Sequence, residues 1–199
     1  MQTIIWVAIA FFCGALPFSV WVGKLAVRTD IRQYGDHNPG ATNVLRAGGK
    51  GWALLALILD IFKGALPVAL AWYWAGLGGW SLVLVALAPI LGHAFSPFLG
   101  FKGGKALAVS LGVWGGLTAG VAAIVLAFLM VLWYFVVTKD AWAVMLAAFT
   151  FLAYLLITDA GLTLLAIWVG NTLIIAFKHR SDLNTPPVPR HWLTKWIHQ

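Results

Sequence analysis

Charge is scarce in this chain. Only 10% of its 199 residues are Asp, Glu, Lys or Arg, against about 25% in an ordinary soluble domain. With 62% hydrophobic residues and a mean hydropathy of +0.91, this excludes a soluble globular domain. It points to a polytopic membrane protein, read as one domain over residues 1–199. Cysteine is nearly absent: Cys13 has no partner within the chain, so disulfides play no part in the fold. The opening stretch Met1–Val7 has no Lys or Arg. Its apolar run outlasts a signal-peptide core and no clear A-x-A site follows, so it reads as a retained span. There is no low-complexity tract, no clear internal repeat and no nucleotide P-loop spacing.

What charge there is leans positive. The net charge is +7, but the cations sit at the ends of apolar segments instead of forming one solvated stripe. That distribution fits membrane orientation and anionic, lipid-like substrates better than nucleic acid. The sequence predicts an all-α helix bundle of about seven spans. They fall near Thr3–Val27, Trp52–Ala75, Ser81–Leu99, Ala106–Leu117, Ala119–Val137, Ala141–Ile157 and Gly161–Phe177. The fourth is short. It counts because residues 106–137 are too long for one crossing and contain the break GVWGGLTAG. With seven spans, every Lys and Arg outside them falls on one side: Arg28–Lys50, GFKGGK, Lys139 and the tail from Lys178. The N-terminus is then outside and the C-terminus cytoplasmic. Trp6, Trp52, Trp72, Trp74 and Trp80 lie near span ends, as an interfacial belt requires. The Pro-rich tail from His179 to Gln199 is too polar to span and suits a short amphipathic surface segment.

Three polar islands fall on the basic side. The first is GDHNPGATNVLR, Gly35–Arg46. Gly40 lets the chain turn so that successive amides face one anion. Thr42 and Asn43 add side-chain donors, and Arg46 adds a planar fork suited to phosphate. The same residues also suit an ordinary turn before a helix. The second island, Gly92–Ala108, contains KGGK at the start of a short helix, where amides plus Lys102 and Lys105 favour an anion. Lys102 serves equally well as a topology signal. His93 is equally a structural histidine or a ligand group. The third is KHRSD, Lys178–Asp182. Lys178 and Arg180 are favourable at a helix C-terminus whatever else they do, and His179 can carry a proton near neutral pH. Within the second span, Asp60 and Lys63 share a helix face, should face protein or a watery cavity, and read as a structural ion pair ahead of a direct catalytic role.

In chain order the blocks GALPF, DIRQYG, NPGATNVLR, DIFKGALPV, GHAFSPFLGFKGGK and KHR resemble the bacterial acyl-phosphate:glycerol-3-phosphate acyltransferases of the PlsY type. The resemblance covers nearly the whole chain. It implies a seven-span enzyme of the bacterial inner membrane with its site on the cytoplasmic face. Such an enzyme moves an acyl group from acyl phosphate to the 1-hydroxyl of glycerol 3-phosphate, giving lysophosphatidate and phosphate. No metal, nucleotide or other cofactor is implied. The family's phosphate-cradling loop maps onto Asn38, Gly40, Ala41, Thr42 and Asn43, its cations onto Arg46 and Lys105, and its late histidine onto His179. Lys105, His179 and Arg46 are therefore the expected catalytic residues. Gly103, Gly104, His93, Asp36 and Asp182 join the loop as expected substrate contacts. An acyl phosphate is already activated, so alignment and stabilisation of the departing phosphate suffice without a protein nucleophile. The proton goes to a phosphate oxygen or to His179.

The chain departs from that family at several points. Gly35-Asp36-His37 stands where the family typically has Gly-Ser-Gly, Asp182 where it has Asn, and Ala106 where it has Gly. The family's closing Gly-x-Glu is missing, and the chain has no Glu at all. Two neutral groups have become carboxylates beside an anion site. A like-charge contact at about 4 Å with an effective dielectric near 20 costs on the order of 4 kcal/mol. Asp36 must therefore point away, pair with a cation or accompany a different substrate. Asp36, His37, His179 and Asp182 are expected to form a compensated charge cluster, with a metal site from the same residues as the weaker alternative. Two other functions compete: a divergent or inactive member with another acceptor, and an anion transporter. Against transport, the islands cluster at one face and no repeat is evident.

Overall fold

The structure, a computed structural model, describes residues 1–194. Its regular elements are helices, apart from one isolated bridge between Val137 and Pro189. The first apolar run is not one straight helix. α1 (Gln2–Ala15) stops at Leu16-Pro17, and α2 (Phe18–Val22) then continues as a π-helical turn, Gly23–Val27. Proline supplies no N–H to bond the preceding turn, and here the helix is interrupted. Side-chain donors take the carbonyls at the break: Ser96 Oγ donates to Ala15 O at 2.6 Å and Lys63 Nζ to Leu16 O at 2.8 Å. Lys63 Nζ also lies 2.6 Å from Asp60 Oδ1, as a charge contact and not an aligned hydrogen bond. Ser19 Oγ donates to Asp60 Oδ2 at 2.6 Å. Ser19, Asp60, Lys63 and Ser96 are all buried, so the expected Asp60–Lys63 pair is a clamp on the broken first helix.

The remaining elements follow the apolar runs. They are α3 (Ala41–Arg46), α4 (Lys50–Ala69, extended by a π-helical turn to Trp74), α5 (Gly79–Ala94), α6 (Leu107–Leu117), α7 (Val121–Val136), α8 (Asp140–Ile157), α9 (Gly161–Lys178), α10 (Arg180–Leu183) and α11 (His191–Thr194). Among the described residues, five stretches are long and apolar enough to cross a membrane: Gln2–Val27, Lys50–Trp74, Gly79–Leu99, Asp140–Ile157 and Gly161–Lys178. α6 and α7 are apolar but shorter, at 11 and 16 residues. At 1.5 Å per residue α6 is about 16 Å long, roughly half a hydrocarbon core. The two are separated where expected. Ala119 and Gly120 have positive φ, and Thr118 Oγ1 accepts from the Ala122 N–H at 3.0 Å while donating to Trp114 O at 2.7 Å.

α1 packs mainly on α5, α4 on α6, α7 on α8 and α5 on α9. The α4–α6 seam is closest where side chains vanish. A β-carbon on Gly64 would strike the Val109 carbonyl, and one on Gly112 the Ile61 carbonyl. Small residues let helices approach to van der Waals distance in lipid, and this seam fixes the start of α6 over the middle of α4. The largest core cluster joins Trp114, Phe151, Leu155 and Ile167. A buried relay, Trp114 Nε1 to Asn171 Oδ1 (3.1 Å) and Asn171 Nδ2 to Ser110 Oγ (2.8 Å), ties α6 to α9.

Of the five expected belt tryptophans, Trp52, Trp72, Trp74 and Trp80 are exposed. Trp6 is half-buried, edge-on to Trp74 at 6.3 Å. The tail is held against the α7–α8 turn. The Thr138 N–H donates to Val188 O at 2.9 Å, Arg190 Nε to Tyr134 O at 2.7 Å and Trp142 Nε1 to Thr185 O at 2.6 Å. The far end of the expected amphipathic segment, residues 195–199, lies outside the described residues.

Candidate active site

The first wall of the site is the loop between α2 and α3. Ile31, fully buried against Val20 and Val44, anchors it. Asp30 caps the 3-10 turn Ile31–Gln33, accepting from the Arg32 N–H at 3.1 Å and gripping the Arg32 guanidinium at 2.6 Å. Beyond it, Asp36 Oδ1 accepts from the Asn38 N–H at 3.3 Å and from Asn43 Nδ2 at 3.1 Å. Asn43 Nδ2 also donates to Asn38 O at 2.8 Å, and Asn43 Oδ1 accepts from Arg46 Nη1 at 3.0 Å. With its side-chain nitrogen and oxygen both engaged and 1% of its surface exposed, Asn43 braces the loop from beneath. It does not line the cleft, as a substrate contact would.

The second wall is the turn from α5 into α6. The Gly104 N–H donates to His93 O at 3.1 Å, and Lys178 Nζ donates to Ala94 O and Gly103 O at 2.9 Å each. A β-carbon on Gly103 would collide with the His93 carbonyl, and one on Gly104 with the His93 ring. The glycine pair is therefore needed to bring Lys105 past His93. Lys178 is a strut between α9, α5 and this turn. Ala106, where the resemblance expects glycine, has a left-handed backbone, φ 65°, ψ 14°, which an L side chain adopts at a cost of about 1 kcal/mol.

The third wall is the end of α9. His179 is 2% exposed, and its Nδ1 lies 2.9 Å from Ile175 O. A carbonyl only accepts, so Nδ1 carries the hydrogen and Nε2 presents a lone pair. Burial pushes the His179 pKa below its ordinary value, against the opposing hydrogen bond to Ile175. The ring is neutral at pH 7.

These walls enclose a cleft of about 760 Å³, mouth included. Of the expected residues, Arg46, Lys105 and His179 border it, with Asn38, Gly40, Ala41, Thr42, Asp36 and His93 around them. Gly103 and Gly104 sit behind His93, and Asp182 reaches the site through Lys105 at its rim. Lys105 Nζ lies 2.9 Å from both Asp36 Oδ2 and Asp182 Oδ2, and Arg46 Nη1 is 3.4 Å from Asp36 Oδ1. Asp36 has thus paired with cations. Burial opposes its ionisation, but the hydrogen bond and charge of Lys105 outweigh burial and hold its pKa below the usual value. Hydrogen bonding from Lys105 does the same for Asp182. Burial would lower the Lys105 pKa, but the two carboxylates raise it. Of the four expected members only Asp36 and Asp182 join the ion-pair cluster, and His179 bonds Ile175 O instead. His37, at φ 60°, turns its Nδ1 to Arg32 O at 2.8 Å, and Lys105 takes the central place.

Asp140 and Asp60 also border the cleft. The sequence does not single out Asp140 and favours a structural over a catalytic role for Asp60; the packing of α8 and α4 brings both here. Leu107 and Val144 line both this cleft and a narrow apolar crevice between Trp114, Met130 and Phe151. On the other side, Asp36, Asn38 and Lys105 also line an open vestibule with Lys102, Lys178 and Arg180. The cleft thus combines cations at its centre, an open vestibule on one side and an apolar crevice on the other.

Comparison with known proteins gives the class. Residues 4–185 match the family model described as glycerol-3-phosphate acyltransferase. The glycerol-3-phosphate acyltransferase of Maridesulfovibrio salexigens is 33% identical over 187 residues, covering 92% of each chain. That of Bordetella petrii is 38% identical over 186 residues, covering 89% of this chain and 86% of its own. The crystal structure of PlsY (YgiH), an integral membrane glycerol 3-phosphate acyltransferase, in its glycerol 3-phosphate form has a TM-score of 0.83 at 29% identity, covering 92% of this chain and 91% of that one. Its lysophosphatidic acid form gives 0.81 at 28%. The chain belongs to the glycerol-3-phosphate acyltransferase family. It is a multi-pass membrane enzyme that transfers an acyl group to glycerol 3-phosphate in phospholipid biosynthesis. That assignment displaces the transporter alternative.

Proposed function

We propose that the donor is an acyl phosphate and that transfer takes place in the cleft between Arg46, Lys105 and His179. The glycerol 3-phosphate 1-hydroxyl oxygen attacks the acyl carbonyl carbon. The bond from that carbon to the phosphate oxygen breaks, and its electron pair leaves with phosphate. The hydroxyl proton passes to His179 Nε2 or to an oxygen of the departing phosphate, and the products are lysophosphatidate and phosphate. Arg46 and Lys105 hold phosphate oxygens, with the loop Asn38–Thr42 cradling them. No protein nucleophile is needed, because a mixed anhydride is already activated and the site supplies alignment and charge stabilisation. The observation that carries this reading is the convergence of both cations and a neutral, oriented histidine on one cleft. The apolar side chains of Leu107 and Val144 mark the side of the cleft on which the acyl tail would lie.

We further infer seven crossings in a bacterial inner membrane, with the N-terminus outside and the cleft cytoplasmic. Lys105 at the start of α6 and Asp140 at the start of α8 border the same cleft, which favours α6 and α7 as an out-and-back pair. The Val137–Pro189 bridge puts the tail on that face too. The basic loops meet there, as the positive-inside rule requires of the cytoplasmic side. The test is phosphate release from acyl phosphate by detergent-purified protein. Release should depend on glycerol 3-phosphate, and no lysophosphatidate should form from acyl thioester donors. Release independent of glycerol 3-phosphate would contradict the reading.

A further inference from the structure

We infer that Asp36 and Asp182 compete with phosphate for Lys105, and so set how tightly the site holds substrate and product phosphate. The inference rests on the proposed site. An ammonium group has three donors. Lys105 Nζ donates to Asp182 Oδ2 on α10 and is ion-paired with Asp36 Oδ2 on the α2–α3 loop, carboxylates from opposite walls, each at 2.9 Å. Asp36 also lies 3.4 Å from Arg46. Both cations that would hold phosphate therefore share their charge with internal anions. Lys105 and Arg46 contribute two positive charges, Asp36 and Asp182 two negative ones, and the sum at the centre is zero.

A phosphate reaching Lys105 meets two like charges within contact range unless they move aside. Asp182 can swing away; Asp36 stays held through Oδ1 by the Asn38 N–H and Asn43 Nδ2, and only its Oδ2 contact with Lys105 has to be given up. The Asp36 and Asp182 side chains are 41% and 47% exposed, and Asp36 faces the vestibule where water replaces the lost contact. Half-exposed ion pairs of this kind are individually weak. Exchange of one anion for another at Lys105 is therefore easy in both directions. The carboxylates weaken phosphate binding, and by returning to Lys105 they assist release of product phosphate.

The probe is inorganic phosphate, with the purified full chain in detergent, measured by direct binding and as a competitor of glycerol 3-phosphate. The variants are Asp182→Asn, Asp36→Asn and the double. Asparagine keeps the shape and, at position 36, an oxygen for the Asn38 and Asn43 donors. Each single variant should bind phosphate about twofold to fivefold more tightly, the size of one exposed charge contact. The KM for glycerol 3-phosphate should fall in parallel, and the gain should shrink at high salt. Asp182→Asn decides the matter if Asp36→Asn disturbs its loop. Phosphate binding equal to or weaker than wild type in Asp182→Asn overturns the inference. Lys105→Met separates the two levels. If it loses phosphate binding while the asparagine variants gain nothing, the site stands and the competition fails. If it binds phosphate as wild type does, the site itself is wrong and both fall.

Discussion

Two ion-pair clusters built from the same chemistry, aspartate against lysine, do opposite jobs in this protein. Asp60–Lys63 lies between helices with both side chains 2% exposed or less, touches at 2.6 Å and takes the carbonyl of a broken helix as a third partner. Asp36–Lys105–Asp182 lies at a cleft, a quarter to a half exposed, at 2.9 Å. Access to water decides the difference. A buried pair cannot exchange partners without stranding a charge, so it holds the fold. A half-wet pair loses little by exchanging, so it can serve a passing phosphate.

Breaking one side of the buried pair should have the largest consequence for the fold. Lys63→Met strands Asp60 and frees the Leu16 carbonyl, and should destabilise the protein by about 3–5 kcal/mol. Thermal unfolding in detergent measures this. Asp60→Leu combined with Lys63→Met should cost less than Lys63→Met alone, and equal costs would show that the pair is not what holds the break. Next in size is His179→Gln, which should lower kcat about 100-fold if the imidazole takes the proton, with little change in unfolding temperature. The pH profile sharpens it. The neutral ring is the active form, so activity is present at high pH and falls as pH drops through a value below the ordinary 6.5 of histidine, because burial lowers the pKa. An acid limb that persists in His179→Gln would hand the proton to the substrate phosphate. The smallest effect belongs to Ala106→Gly. Relief of a left-handed alanine should stabilise the protein by about 0.5–1 kcal/mol, seen as a modest rise in unfolding temperature.

Much of this was legible in the sequence, for a physical reason. In a chain this apolar, each polar island needs an explanation, and all three meet at one cleft. The Asp60–Lys63 pair was readable from its three-residue spacing. Other features depend on contacts between segments far apart in the chain. Lys178 looked like an ordinary cation at a helix end, yet it bonds the Ala94 and Gly103 carbonyls. Asn43 looked like a phosphate donor, yet its amide is used within the loop. Asp140 gave no local signal, because only the packing of α8 brings it to the cleft. Pro17 did give one: its missing N–H interrupts the first span, which the hydrophobic pattern alone draws straight through.

The most direct test of the account takes Lys105→Met, measured for stability and for glycerol 3-phosphate-dependent phosphate release in the same preparation. The account predicts a turnover about 100-fold to 1,000-fold below wild type with an unfolding temperature within a few degrees of it. Wild-type turnover in that variant would contradict the assignment of the cleft.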